Sequence, residues 1–496
     1  MNKDLKLIED RQRETAIFGS VLSLLGWDQL TYMPKKGAES RAEQVSQLSE
    51  LIHQKVTDDN FYHALLRLKK SKSLSKKEAL MVKKLLKGIE KSRKLPEEFV
   101  KEMSKVTSLS YMAWEKAREK NDFKIFQHHL EKVVELKRKE CNYIKEPDHP
   151  YNSLLDSYEE GMTVEKLKPI FEKLKKDLKI LINKIKDTEH YKKQTPLSLE
   201  VPVEQQRELC HDLMKRIGLT EDRSRLDLSI HPFTQTAGIN DVRLTTNFRK
   251  SPLFSFESTI HESGHALYEL NLPEKDAYNI LGSAVSLGIH ESQSRFWENM
   301  VGKSRPFWNF YYSQFKKISK LDITEEQLYN GINFVKPSLI RIESDEVTYC
   351  MHVILRFEIE LGLIEGTIKV KDLPKVWNKK MEELLGIIPK NDVEGVLQDM
   401  HWSQGAIGYF PTYALGSIYA SQLFEQLTKE KKGIEKQIDK GDFSEISKWL
   451  KLKIHQHGNT LLPEELIKKA CKKGLDVDTY VSYLNYKYSK IYGFKK

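Results

Sequence analysis

Two histidines four residues apart, His261 and His265, enclose a glutamate, Glu262, in the string His-Glu-Ser-Gly-His. The flanking Phe256, Ile260, Leu267 and Leu270 recur at helical spacing, and no proline interrupts Leu253 to Leu272. On a helix, residues four apart lie about 40° apart around the axis and one turn apart along it. Two imidazoles so placed can hold a zinc ion at about 2.0–2.1 Å. Glu262 sits about 100° round from His261, an awkward direction for a third ligand. It is well placed to take a proton from a water activated by the metal. With 15 histidines in 496 residues and glutamate at roughly one position in twelve, about 0.04 such strings arise by chance.

A catalytic zinc wants a third protein ligand and one open position. Glu269, Glu274, Glu291 and Glu298 follow the string. Glu269 is one turn beyond His265 on the same helix, so its carboxylate would have to fold back. Glu274 falls in the turn Leu272-Pro273-Glu274-Lys275. Glu291 and Glu298 share one face of a helix read from Ile289 to Met300, and spacing does not choose between them. The position four after Glu291 is Arg295, where a thermolysin-like arrangement would have an acid.

The elements around this helix carry further polar groups. Leu226, Leu228 and Ile230 alternate, as do Val242, Leu244, Thr246 and Phe248, which reads as two strands joined through the turn Thr236-Ala237-Gly238. The second strand then presents Asp241, Arg243 and Thr245 on its other face. From Ser338 to Leu363 one helix is expected. Its polar side carries Arg341, Asp345, Thr348 and His352, with Arg341 and Asp345 paired at i,i+4 and the arginine free to grip an anion. Gly395, Gln398, Asp399, His401 and Trp402, then Gly405, Gly408, Tyr409, Tyr413 and Gly416, suggest backbone approach to a ligand with phenols as donors. Val164, Leu167, Phe171, Leu174, Leu178, Leu181 and Ile185 form a further amphipathic helix, which Pro169 either bends or delays. The lysine-rich stretch from Leu66 to Lys94 reads as a solvated helical face.

Composition bounds the function. There are 81 Lys+Arg and 71 Asp+Glu, so the formal charge is 81 − 71 = +10, a small excess for 496 residues. No nucleic-acid-binding spacing accompanies it, which argues against a nucleic-acid partner. The N-terminus lacks a secretory signal core, and no apolar stretch is long enough for a membrane span, so a cytoplasmic protein without a membrane partner is expected. Cys141, Cys210, Cys350 and Cys471 form no CxxC pair. No linker or repeat divides the chain. A single domain over 1–496 is expected, with a helical half to about 200 and a metal-site half beyond it.

Together these residues resemble the carboxypeptidase Taq (M32) family of metallocarboxypeptidases. The resemblance runs through Trp27-Asp28-Gln29 with Arg41, His231-Pro232-Phe233, Asp241-x-Arg243-x-Thr245, His261 to His265, His290-Glu291-Ser292-Gln293, Ile340-Arg341 with Asp345, and Gly395 to Trp402. Ser344 stands where the family pattern has alanine, a small-for-small change. The resemblance implies a mainly α fold like that of neurolysin and angiotensin-converting enzyme, with a long substrate groove and a small sheet at its wall. It selects Glu291 as the third metal ligand and implies a homodimer that removes single C-terminal amino acids from peptides with broad side-chain preference. In that reading one Zn²⁺ per chain, or Co²⁺ or another divalent ion, is held by His261, His265 and Glu291, and Glu262 is the general base. Tyr409, then Tyr413, steadies the oxyanion. Arg341 grips the substrate carboxylate with Arg243 as fallback. His401 and His231 shape the same wall, and the Asp241–Thr245 strand pairs with the peptide backbone. The alternatives are an endopeptidase or dipeptidase on the same scaffold, or a metal-free binding protein. The aromatic run from Phe307 to Tyr312 is left open between core and dimer surface.

Overall fold

The computed structural model describes residues 2–495. Helices dominate, as the periodicity requires. Helices α1 (Lys3–Thr31), α2 (Ala38–Thr57), α3 (Asp59–Lys69) and α4 (Lys76–Arg93) form an N-terminal block. Its small apolar cluster joins Leu5 and Ile8 to Phe61, Leu65, Leu68, Met81, Val82, Leu86 and Ile89. Helix α4 opens on a reciprocal capping box, Ser75 with Glu78. Most of its lysines are exposed, as expected of a solvated face, and some also reach the body. Lys84 reaches Glu160 and Asn459, Lys87 reaches Asp156 and Glu160, and Lys91 reaches Ser153 and Ser157. They tie the block to the body through charge.

The body has one large apolar cluster running from Ala113 to Tyr492, so the packing does not follow a boundary near residue 200. It includes α5 (Glu97–Lys120), α6 (Phe123–Ile144), α7 (Val164–Lys186) and α8 (Val203–Ile217). Helix α7 starts at Val164 with Thr163 as its cap, and Pro169 lies inside it. A proline inside a helix costs about 3 kcal/mol. The eight side chains that α7 buries contribute about 12–24 kcal/mol in gross transfer free energy, so the helix survives.

The sheet has three strands, β1 (Ser224–Leu228), β2 (Thr234–Gly238) and β3 (Asp241–Thr246), in the order β1-β3-β2. This corrects the two-strand reading. The Thr-Gln-Thr-Ala-Gly stretch, expected to hold a turn, is itself a strand, antiparallel to β3, and β1 pairs with β3 in parallel. The strand carrying Asp241, Arg243 and Thr245 is therefore central, with both edges taken.

Helix α9 (Pro252–Leu270) carries the His-Glu-Ser-Gly-His string and packs on β3. Helix α10 (Leu287–Arg295) follows and widens into a π-helical turn, Phe296–Gly302, so the regular helix expected to Met300 ends early. In α11 (Arg305–Ser319), Phe307, Trp308 and Tyr311 are buried, which places this aromatic run in the core. The segment from Ser338 to Leu363 is not one helix. A short turn at Arg341–Glu343 precedes α12 (Tyr349–Glu365), because the Asp345 carboxylate accepts the backbone N–H of Val347 and Thr348 and turns the chain there. Helices α13 (Pro411–Glu430) and α14 (Val477–Tyr492) close the body.

Two glycines let three helices meet. A Cβ on Gly264 of α9 would stand 2.6 Å from the Ser294 Cα of α10. One on Gly416 of α13 would stand 2.6 Å from the Glu291 Cβ. Helix α10 is thus clasped between α9 and α13 at backbone contact, with Glu291 facing the two histidines.

Candidate active site

His261 Nε2 and His265 Nε2 lie 3.7 and 3.4 Å from the same Glu291 oxygen, Oε2. Ligand atoms about 2.0–2.1 Å from a tetrahedral zinc stand about 3.3 Å apart, so the three atoms are spaced for one small ion. Among the described residues this is the one group of three such side chains with donor atoms within 4.8 Å of one another. The far sides of both rings are engaged. His261 Nδ1 meets Glu298 Oε2 at 2.7 Å. His265 Nδ1 meets His290 Nδ1 at 2.6 Å, and His290 Nε2 meets Glu269 at 2.8 Å. With each Nδ1 donating outward, each Nε2 presents its lone pair inward, the tautomer a metal ligand needs.

Electrostatics agree. Desolvation opposes a charged His261, but Glu291, Glu298 and Glu262 outweigh it and raise its pKa. His265 is pushed down to about 4 by desolvation, against the pull of Glu291 and with its neighbouring histidines adding to the shift. Desolvation disfavours charge on Glu291 as well, yet Arg295 and the two histidines hold its carboxyl well below the usual range. A buried, ionised carboxylate faces two imidazoles, and a divalent cation completes that set.

Spacing along the chain leaves Glu291 and Glu298 open. The structure separates them: Glu291 faces both Nε2 atoms, while the wide turn beyond Arg295 brings Glu298 behind His261. Glu269, awkward as a ligand, serves as His290's partner and accepts a bond from Thr236. Local spacing relates only His265 and Glu269 of the His265–His290–Glu269 chain, because His290 joins it from a second helix, α10. The sequence marks His290 only as the neighbour of Glu291.

Glu262 is buried and accepts a 2.7 Å hydrogen bond from Thr234 of β2. Desolvation raises its pKa, with His261 pulling the other way. Tyr409 and Tyr413 stack edge to face at 5.3 Å. Burial lifts Tyr409 to about 12, so both phenols keep their protons at neutral pH. The Tyr413 hydroxyl also meets His401 Nε2 at 3.3 Å.

Arg341 does not pair with Asp345, which corrects the i,i+4 reading. Its Nε and one terminal nitrogen donate to Asp399, 58 residues on, and the other terminal nitrogen donates to the Tyr349 hydroxyl. Its guanidinium stacks on Tyr413 at 4.7 Å. Asp399 also accepts from Arg356 at 2.7 Å, so two buried guanidiniums share one carboxylate and a positive charge is left over. His401 beside them is driven down to about 3 by desolvation, despite Asp399, and stays neutral at pH 7. His231 is exposed on the loop after β1. Desolvation, then Arg118 and Arg249, lower its pKa, and Arg341 and Asp399 are within electrostatic reach.

The remaining predicted residues brace the site. Arg243 is forked onto Asp241 and lies over the Trp27 ring at 4.5 Å, docking α1 on the sheet. Thr245 is buried, and its hydroxyl accepts from Phe233 N and Ser229, pinning the loop that carries His231. The expectation that this strand pairs with a peptide backbone is overturned by its central position. The outer edges belong to β1 and β2, and Thr234 of β2 touches Glu262.

A buried HExxH helix answered by a glutamate from the next helix, in a mainly α frame, defines a metallopeptidase of the HExxH type. Comparison with known proteins narrows the class. Residues 7–488 match the carboxypeptidase Taq (M32) metallopeptidase family. The chain is 39% identical to thermostable carboxypeptidase 1 of Pyrococcus furiosus over 98% of this chain and 99% of that one. It is 36% identical to carboxypeptidase 1 of Bacillus subtilis over 97% of each. The M32 carboxypeptidase structure from Deinococcus radiodurans superposes with a TM-score of 0.95 at 35% identity, covering 99% of this chain and 100% of that one. The chain belongs to the M32 metallopeptidase family and is a metallocarboxypeptidase.

Proposed function

We propose that the chain releases single C-terminal amino acids from peptides, with broad side-chain preference, using one Zn²⁺ held by His261, His265 and Glu291. The observation that carries this is the convergence of both Nε2 atoms on one Glu291 oxygen beside a buried Glu262. The chemistry a divalent ion supplies there is Lewis acidity toward a water and toward the scissile carbonyl; Co²⁺ suits the same nitrogen and oxygen donors.

The protein's own groups do the rest. Glu262, its pKa raised toward the working range, takes a proton from the attacking water and returns it to the leaving amine. Tyr409 donates to the developing oxyanion. Tyr413, already shared with His401, is the second choice. Arg341 uses three of its five N–H groups on Asp399 and Tyr349 and offers the other two to the substrate carboxylate. The surplus positive charge around Asp399 favours that anion, and neutral His401 and His231 line its path. The outer edge of β2 pairs with the substrate backbone, which is blind to side chains. A cavity of about 1410 Å³ lined by Thr236, Gly238 and Asn240, with Glu269 and His290, would hold the upstream residues. Asp241, Arg243 and Thr245 act at one remove by fixing the sheet and the His231 loop.

We further place the protein in a reducing cytoplasm as a homodimer. Four buried free cysteines suit that compartment. No helix among the described residues is long and apolar enough to cross a membrane. Val21 and Leu24 make an exposed apolar pair on α1 that a second copy would cover.

Glu262→Gln tests the mechanism. It keeps shape and metal while removing the base, and kcat is expected to fall by about 10²–10⁴. Turnover within a few-fold of the parent, with metal bound, would refute the general-base role.

A further inference from the structure

Arg295 stands four residues after Glu291, at the position where a thermolysin-like site would carry an acid. Its side chain is 12% exposed. Nε donates to Glu291 Oε1 at 2.7 Å, and a terminal nitrogen donates to Glu298 Oε2 at 3.2 Å. The guanidinium carbon lies over the Tyr349 ring, 4.0 Å from its centre, a cation–π contact that helps hold it in place. One fork therefore holds the carboxylate that faces the two Nε2 atoms and the carboxylate that orients His261.

We propose that Arg295 is a positioning residue that makes Glu291 a one-oxygen ligand and couples it to the orientation of His261. With Oε1 committed to Arg295, only Oε2 points at His261 and His265, and Ser294 Oγ, 3.0 Å from Oε2, steadies it from the other side. A carboxylate free to rotate would offer both oxygens to an ion. Binding through one oxygen keeps a fourth position open for water. Glu291 stands at the Nε2 side of His261 and Glu298 at its Nδ1 side, and Arg295 is the cation that bonds to both. A lysine would keep its charge but not the planar fork that reaches two carboxylates at once. The structure thus assigns the role to geometry as well as charge.

This inference rests on reading His261, His265 and Glu291 as metal ligands, so the test separates the two. Parent, Arg295→Lys and Arg295→Gln proteins would be stripped, checked for folding by circular dichroism and thermal unfolding, and titrated with Zn²⁺ and Co²⁺. The parent should bind one ion; a parent that binds none sinks the ligand reading itself. Both variants should bind Zn²⁺ about 10- to 100-fold more weakly. Their Co²⁺ visible bands should weaken, as the carboxylate's second oxygen raises the coordination number. Arg295→Lys decides the geometric point: a parent-like spectrum and affinity in that variant, beside an intact parent site, would overturn the proposal. If Arg295→Gln does not fold, the lysine variant alone decides.

Discussion

Gly416 is where α13 meets Glu291, the proposed metal ligand, and replacing it with alanine is an exacting test of the packing there. The new Cβ would stand 2.6 Å from the Glu291 Cβ and 3.0 Å from its carbonyl carbon. Carbon atoms rest at about 3.5–4.0 Å, so α13 and α10 must separate by about 1 Å. Alanine favours a helix interior over glycine by about 1 kcal/mol, whereas overpacking costs about 1–3 kcal/mol. Global stability should therefore fall by only about 0–2 kcal/mol. The site is far less forgiving, because a 1 Å misplacement can cost about 10²-fold in rate. Urea unfolding should show a small shift in midpoint, while kcat/KM drops by about two orders of magnitude and metal occupancy declines. Full metal content with kcat/KM within about twofold of the parent would refute the claim that this contact sets the position of Glu291.

Other consequences follow from buried charge. Glu159 is raised to about 7 by desolvation, despite bonds from Ser286, Gly288 and Tyr419. Between about pH 4.5 and 7 the folded state therefore retains a proton that the unfolded chain has released, and this residue's stabilisation is lost as pH rises. Glu159→Gln mimics the protonated form, so its stability relative to the parent should rise by about 2 kcal/mol from pH 5 to pH 7 in denaturant unfolding; a pH-independent difference contradicts the shift. Asp399→Ala leaves Arg341 and Arg356 buried without their shared anion and should cost about 3–5 kcal/mol. A thermal unfolding change equivalent to less than about 1 kcal/mol would show that the cluster is not held as described.

How much of the fold and site is legible in the sequence depends on distance along the chain. His261, Glu262 and His265 are readable because helical geometry alone relates residues four apart. The apolar stripe of α7 is readable for the same reason, and burial decides the question of Pro169. β2 escapes a reading from sequence because Thr234 to Gly238 has no apolar alternation; it is a strand because β3 pairs with it and its threonines face Glu262 and Glu269. Helical spacing gives Arg341 the acid four residues on, Asp345, although its partner Asp399 lies 58 residues away. The solvated lysine face of α4 is readable, but the partners of Lys84 and Lys87, Asp156 and Glu160, are not, because they belong to a distant loop. Family resemblance favours Glu291 over Glu298, and the physical ground for that choice, both Nε2 atoms facing Oε2, exists only in three dimensions.

The central claim is that a metal at His261, His265 and Glu291 serves a groove that ends at a carboxylate-binding pocket around Arg341. The most direct test gives the metal-loaded protein a peptide and its C-terminally amidated twin and follows the products by mass spectrometry, before and after chelation. The expected result is a ladder of single-residue losses from the free acid, loss of activity on chelation with recovery on adding Zn²⁺, and a rate lower by orders of magnitude on the amide. Equal rates on acid and amide, or internal fragments and dipeptides as first products, would contradict it.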